Sequence, residues 1–302
     1  MKIRDVFFHG IYQLVKEGED IVVVSSDLGA PSLDCFRKDF PNRFINVGIA
    51  EQNLIAVASG LQLAGKKVVA YGLNPFPVTR AFDQVRNLMA SLQIPITLTA
   101  LNAGTCSADA GYTHMPIENI AVLRTLKNVQ ILNPSDEITI RKLLREIVEN
   151  PKPRYVQFDK FIEGSLYSES DICCEKGFAT KNQNCKVVIV SSGIMAHNLM
   201  KSKVPAKIID CFSLPIQEEE FVKELNGCKQ VITVEDGVLP GGIGSMVLEI
   251  LSDFNVAVPV KRFGLRFCQG YPERYVNREM VFHEQGLTIA EIERYVHEVN
   301  GE

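Results

Sequence analysis

The sequence predicts an α/β protein of two domains, each a mostly parallel sheet covered by helices. Two observations carry this. Short, continuous apolar runs rich in β-branched residues alternate with helical patterns, and strands buried on both faces read that way. The rhythm then breaks once, over about 161–185, where FIEGSLYSESDICCEKGFATKNQNC gains Ser, Gly, Glu and Asn. Domains at 1–160 and 186–302 follow, joined by a linker over 161–185 that can add an edge hairpin. A length of 302 residues suits two ordinary domains.

In chain order, a helical pattern over 5–17 leads into the strand Ile21–Ser25. Further strand-like runs fall at Val68–Tyr71, Ile96–Leu101, Val129–Leu132 and Tyr155–Phe158, with helical patterns at 49–64, 79–92, 116–125 and 136–149. Pro134-Ser-Asp136 reads as a turn and N-cap for the last of these. The alternation resumes with Val187–Val190, Lys207–Ile209, Val231–Val234 and Val256–Val260.

Composition excludes several classes. The chain is 46% hydrophobic, and no apolar run reaches the ~18 residues of a membrane span. A net charge of −4 gives no footprint for nucleic acid or a membrane surface. MKIRDVFFHG has neither the apolar region nor the cleavage site of a secretory signal. Eight cysteines are scattered without a C-x-x-C pair, so reduced thiols in a cytoplasmic protein are expected, and no cysteine metal site.

The stretch Arg43-Phe-Ile-Asn-Val-Gly-Ile-Ala-Glu51-Gln-Asn53 reads as a short strand, a Gly48 turn and a helix opening on one carboxylate. Ile49, Leu54, Ile55, Ala58 and Leu61 supply an apolar face behind Glu51. A helix N-terminus favours an ionised carboxylate and burial disfavours it. A glutamate held between those pulls can exchange a proton with a heteroaromatic nitrogen. Read alone, it is a helix-dipole partner.

Four further stretches accompany it. Asp27, in Ser25-Ser-Asp27-Leu-Gly29, lies at the strand end where open parallel sheets bind ligands, although a capping role fits equally. Two prolines bracket Phe76 in Asn74-Pro-Phe76-Pro-Val-Thr-Arg80 and hold it out as a stacking platform; Phe82, at helical spacing, reads as core. His114, in Asp109-Ala-Gly111-Tyr-Thr-His114-Met-Pro116, precedes a helix opened by Pro116. A single histidine reads as structural, yet the strand-end location supports binding or proton transfer. Glu235-Asp-Gly237-Val-Leu-Pro-Gly241-Gly-Ile-Gly244 is a strand, glycine loop and helix. It lacks the third glycine of G-x-G-x-x-G, so it reads as a tight turn and close packing.

Together RFINVGIAEQN, LNPFPVTRAFDQVRN, GYTHMPIENIAVLR, ILNPSD and VEDGVLPGGIGS resemble the C-terminal half of transketolases and 1-deoxyxylulose-5-phosphate synthases. That half is a pyrimidine-binding domain followed by a transketolase C-terminal domain. The resemblance implies that Glu51 hydrogen-bonds the pyrimidine nitrogen of thiamine diphosphate and that Phe76 stacks on its ring. Leu73 stands where the family often has a second aromatic. Asp27 and Leu28 would line the cleft, and His114 would face substrate hydroxyls.

The substrate end departs from the family. Arg4 falls at the spacing of an arginine that grips the sugar phosphate, and Ser32 lies near a phosphate-binding serine. A family histidine twelve residues before His114 is Asn102. The usual carboxylate is displaced by one to Asp109, with Ala110 in its place. A phosphate-binding arginine is Lys160, which keeps the charge and loses the fork. Substrates are therefore read as sugars or sugar phosphates.

The G-D-G…N motif that holds Mg²⁺ and the diphosphate does not occur, so no metal ligand is assigned to this chain. The resemblance implies a separate N-terminal transketolase-like subunit carrying that motif, in an α2β2 heterotetramer that transfers a two-carbon ketol unit from ketose to aldose. Two alternatives are a β subunit of a 2-oxo acid dehydrogenase E1 component and a non-catalytic transketolase-like paralogue.

Overall fold

A computed structural model describes residues 1–268, 270–271 and 275–301. The first half contributes strands β1 (Ile21–Ser25), β2 (Phe44–Asn46), β3 (Lys67–Leu73), β4 (Thr97–Leu101), β5 (Gln130–Leu132) and β6 (Arg154–Phe158). The second contributes β7 (Ala179–Lys181), β8 (Val187–Ser191), β9 (Lys207–Asp210), β10 (Ser213–Leu214), β11 (Gln230–Val238) and β12 (Val260–Leu265).

These form two sheets. The first has the order β10-β5-β6-β4-β3-β1-β2, parallel except at β10, which pairs antiparallel with β5. The second runs β12-β11-β8-β9-β7, parallel except for β7. Every residue of β1, β6 and β8 is buried, which explains why they read as unbroken apolar runs. The helix Ile3–Lys16 lays Ile3, Phe7, Ile11 and Val15 on the first sheet at a spacing of four. Its Phe7 meets Phe158 at 5.2 Å and its Phe8 meets Tyr71 at 4.7 Å between ring centroids. Each such buried ring stabilises the packing by about 1.5–3 kcal/mol.

Several sequence expectations need correction. Ile49 is 74% exposed, because it precedes the helix Glu51–Leu63 and turns outward; of the expected apolar face, Leu54, Ile55 and Ala58 are fully buried. The expected 79–92 helix is three pieces, Phe76–Thr79, Phe82–Gln84 and a π-helical turn at Val85–Ser91. That break leaves Phe82 half-buried and outside both core clusters, while Ala81 and Val85 are enclosed. The helix after His114 starts at Asn119, with Pro116 in the preceding turn. The last strand begins at Val260, four residues later than the expected Val256. Pro259 has no N–H for the ladder, so pairing starts just after it.

Between the two sheets lies a buried polar cluster. Asp136 caps the helix Glu137–Glu149 through Thr139 N at 2.7 Å, while its other oxygen accepts from Leu166 N at 2.7 Å and Tyr167 N at 3.0 Å. Asp210, at the end of β9, accepts from Ser135 Oγ at 2.5 Å and Tyr167 Oη at 3.3 Å, and its Oδ1 has no partner among the described residues. Burial, with Asp136 nearby, pushes the Asp210 carboxyl from 3.8 up to about 7. The unfolded chain therefore releases this proton first as pH rises. Asp210 makes folding less favourable from about pH 4 upward, reaching its full cost above about 7. Asp210→Asn keeps the shape without the charge. Its stability relative to wild type is expected to rise across that window in denaturant titrations, and a pH-independent difference would contradict the assignment.

Candidate active site

Most of the singled-out residues gather at one edge of the first sheet, the C-terminal ends of its parallel strands. Asp27 and Leu28 follow β1, Leu73 ends β3, Asn102 follows β4 and Lys160 follows β6. Backbone bonds carry the ladder past the strand ends: Ser26 N donates to Tyr71 O at 3.0 Å, Asn74 N to Leu101 O at 3.0 Å, and Asn102 N to Phe158 O at 2.9 Å. Helices preceding or following these strands point an N-terminus at the same edge, which brings in Arg4, Ser32 and Glu51.

Glu51 is the first residue of its helix and only 2% exposed. Its Oε2 accepts from Arg80 Nη1 at 2.6 Å, and the Arg80 side chain is itself 47% exposed. The Arg80 guanidinium lies 4.6 Å from the centre of the Phe76 ring. Another neighbour of that ring is His114, edge-on at 5.4 Å and 87°. Three segments far apart in sequence thus converge on one half-buried aromatic ring. Phe76 opens the short helix Phe76–Thr79, so it stands on a helix start and not in a free loop. His114 Nδ1 lies 3.0 Å from Thr113 Oγ1.

Asp27 adopts φ +56, which a short polar residue tolerates, and exchanges hydrogen bonds with Asn46 at 3.1 and 2.9 Å. Asn46 also accepts from Gly48 N at 2.9 Å, tying β1 to the approach to Glu51. Leu28 and Leu73 are half-buried beside these turns. Asp109 is exposed on the turn Ala108–Ala110. Arg4 and Ser32 do meet, but through Asp5: Arg4 donates to Asp5 Oδ1 at 3.0 Å and Ser32 Oγ to the same oxygen at 2.9 Å. Arg4 is thus paired within its own helix. Lys160 lies with its ammonium 5.2 Å from the Phe161 ring.

Sequence reading misses Arg80 as a partner of Glu51. The signal available is spacing, since Arg80 sits four residues after Phe76 on one helical face. The glycines after β11 serve close packing, as read from sequence. A Cβ on Gly242 would come within 1.9 Å of Glu235 Oε2, whose carboxylate accepts from Ile243 N at 2.8 Å and Gly244 N at 3.0 Å.

Residues 1–161 match the family profile "Transketolase, pyrimidine binding domain", and residues 178–292 match "Transketolase, C-terminal domain". Among curated relatives, an apulose-4-phosphate transketolase subunit of Phocaeicola vulgatus is 30% identical over 272 residues, covering 87% of this chain and 86% of its own. A 6-deoxy-6-sulfo-D-fructose transketolase subunit of a Clostridium species is 27% identical, covering 98% and 94%. A solved structure described as "Split gene transketolase, inactive beta4 tetramer" superposes with a TM-score of 0.82 at 30% identity, covering 99% of this chain and 98% of that one.

Two α/β domains, matched in turn by the pyrimidine-binding and C-terminal domain profiles, define the C-terminal half of a transketolase-type enzyme. The chain belongs to the transketolase family, and it is a subunit of a thiamine-diphosphate-dependent, transketolase-type transferase.

Proposed function

We propose that this chain is the C-terminal subunit of a split transketolase and supplies the pyrimidine end of a shared active site. The observation that carries this is the buried Glu51 carboxylate beside the Phe76 ring, paired with the half-exposed Arg80. A flat heteroaromatic ring fits there: it can stack on Phe76 and present a ring nitrogen to Glu51, displacing a side chain that water readily solvates. Bound thiamine diphosphate supplies the nucleophilic carbon that accepts the two-carbon ketol unit.

Glu51 holds the proton at that ring nitrogen, and its burial keeps water from competing for it. Phe76 and Leu73 line the ring, while Asp27 and Leu28 wall the cleft after β1. His114, edge-on to Phe76, and Asp109 and Asn102 face the sugar hydroxyls. Lys160 is the cation left to meet an anionic sugar terminus, because Asp5 already engages Arg4 and Ser32. The two named relatives act on a sugar phosphate and a sulfo-sugar, so each substrate name carries an anion. An anionic ketose donor is the reading this supports.

The Mg²⁺ and diphosphate belong, in this reading, to a separate subunit bearing G-D-G…N, in an α2β2 assembly. Eight free thiols suit a cytoplasmic setting. No helix among the described residues is long and apolar enough to cross a membrane.

Calorimetry tests the reading directly. Thiamine diphosphate with Mg²⁺ is titrated into this chain, then into its mixture with a G-D-G-bearing subunit. Binding in the mixture alone is expected, followed by ketol transfer from an anionic ketose; tight binding by this chain alone refutes the shared site. Lys160→Ala is expected to raise KM for an anionic ketose about 10-fold or more while kcat changes little, the pattern of a lost uniform binding contact. An unchanged KM removes Lys160 from substrate recognition.

A further inference from the structure

We propose that the C-terminal domain positions the substrate end of the active site, and that Arg278 is the residue through which it does so. The inference rests on the transketolase reading of the cleft and assigns a role in it to the second domain.

Arg278 opens the helix Arg278–Gln285 of the second domain, and its side chain is only 10% exposed because it reaches across to the first. There it donates to Asp159 Oδ2 at 2.5 Å and to Ala103 O at 3.1 Å, and it lies 3.2 Å from Asp236 Oδ2. Both acceptor residues of the first domain sit on backbone that carries substrate-end groups. Asp159 immediately precedes Lys160, and its other oxygen accepts from Phe161 N at 2.8 Å. The carboxylate therefore brackets Lys160 from both sides.

Ala103 follows Asn102, which is held at φ +73. Asp236, from β11, accepts from Thr105 N at 3.0 Å and Thr105 Oγ1 at 2.8 Å, fixing the same turn. Cys106 closes the ring, with its thiol 3.6 Å from Asn102 Oδ1 and 3.9 Å from Asp159 Oδ1. One guanidinium thus joins the Asn102 turn and the Lys160 turn to the second domain. Its Nη2 meets Asp159, Ala103 and Asp236 together while its Nε lies 3.4 Å from Thr105 Oγ1, a rigid planar placement of donors that an ammonium on a flexible stem does not reproduce.

The loop bearing His114 has its own contact with the same domain. Tyr271 Oη donates to Glu118 Oε1 at 2.5 Å, and its ring stacks on Tyr112 at 5.7 Å. Tyr275 packs on Gly111, where an added Cβ would come within 3.3 Å of the ring. These contacts fall on the segments that carry Asn102, His114 and Lys160, and not on Glu51 or Phe76. The expected signature is therefore selective: substrate affinity depends on Arg278, and cofactor binding does not.

The test uses the full chain with its diphosphate-binding partner. In Arg278→Ala, hydrogen exchange over 102–107 and 159–161 is expected to quicken at least tenfold, with 51–63 and 74–80 unchanged. KM for the ketose is expected to rise at least tenfold while kcat and thiamine diphosphate affinity hold within twofold. Added guanidinium is expected to restore KM, and Arg278→Lys is expected not to. Unchanged exchange at those turns overturns the proposal, as does a loss of cofactor affinity with KM preserved. If Arg278→Ala fails to fold, Tyr271→Phe decides, since it removes one hydroxyl from an exposed ring. Faster exchange over 109–118 with a raised KM supports the proposal, and the absence of either change refutes it. If the wild-type pair turns over no ketose, the transketolase reading fails, while the exchange result still judges Arg278.

Discussion

Glu51→Gln is expected to lower ketol transfer by about 10²–10⁴-fold, the range of a single proton-transfer group. The amide keeps the size of the carboxylate and can still meet Arg80, so the helix Glu51–Leu63 should start where it does now. What it loses is the ability to hold and release a proton at a ring nitrogen. Circular dichroism and subunit association are expected to be unchanged, with the loss confined to kcat. Glu51→Ala should also abolish turnover. Activity within tenfold of wild type in the reconstituted pair would mean that Glu51 is only a helix-start carboxylate.

Asp136→Ala carries the largest expected effect on stability. Asp136 is fully buried and accepts four hydrogen bonds, from Thr139 N and Oγ1 on its own helix and from Leu166 N and Tyr167 N of the connecting segment. Truncation leaves all four donors without their acceptor, three of them in buried surroundings. A cap contributes about 1 kcal/mol and charged hydrogen bonds about 1.5–3 kcal/mol each, so a loss of about 4 kcal/mol is expected after non-additivity. For a domain of this size that lowers Tm by roughly 8–16 °C. A fall of a degree or two would show that water or a neighbour takes over these donors.

Much of the fold was legible because its strands are buried on both faces. A run such as Ile21–Ser25 has no polar alternate positions to blur it. The β-branched run at Val187–Val190 is legible for the same reason. Misreadings occur where apolar side chains do other things. Ile49 follows a glycine turn and faces solvent, and Val256–Val258 is apolar but ends at a proline that cannot pair. Phe82 loses its place in the core where the helix breaks into a π turn, which propensity does not announce.

The candidate site divides along the same line. Glu51, Phe76 and His114 each sit in a local pattern of helix start, proline or glycine, and the structure links them, His114 directly to the Phe76 ring and Glu51 to it through Arg80. Arg278 and Asp159 are 119 positions apart and belong to different domains. Nothing local marks either as the other's partner. Asp236 is visible in its glycine-rich stretch, yet its bond to Thr105 depends on how two sheets meet.

The short strand Ser213–Leu214 has a consequence for how this polypeptide can be divided. It comes from the second half of the chain but completes the first sheet beside β5, with Gln130 Nε2 donating to Ser213 Oγ at 2.7 Å. A gene truncated after residue 160 would encode a sheet with a raw, unzipped border at Gln130–Leu132, open to pairing with any neighbouring chain. The two halves read as modules in sequence, but they are stitched, and recombination between relatives at that seam would have to carry the stitch with it.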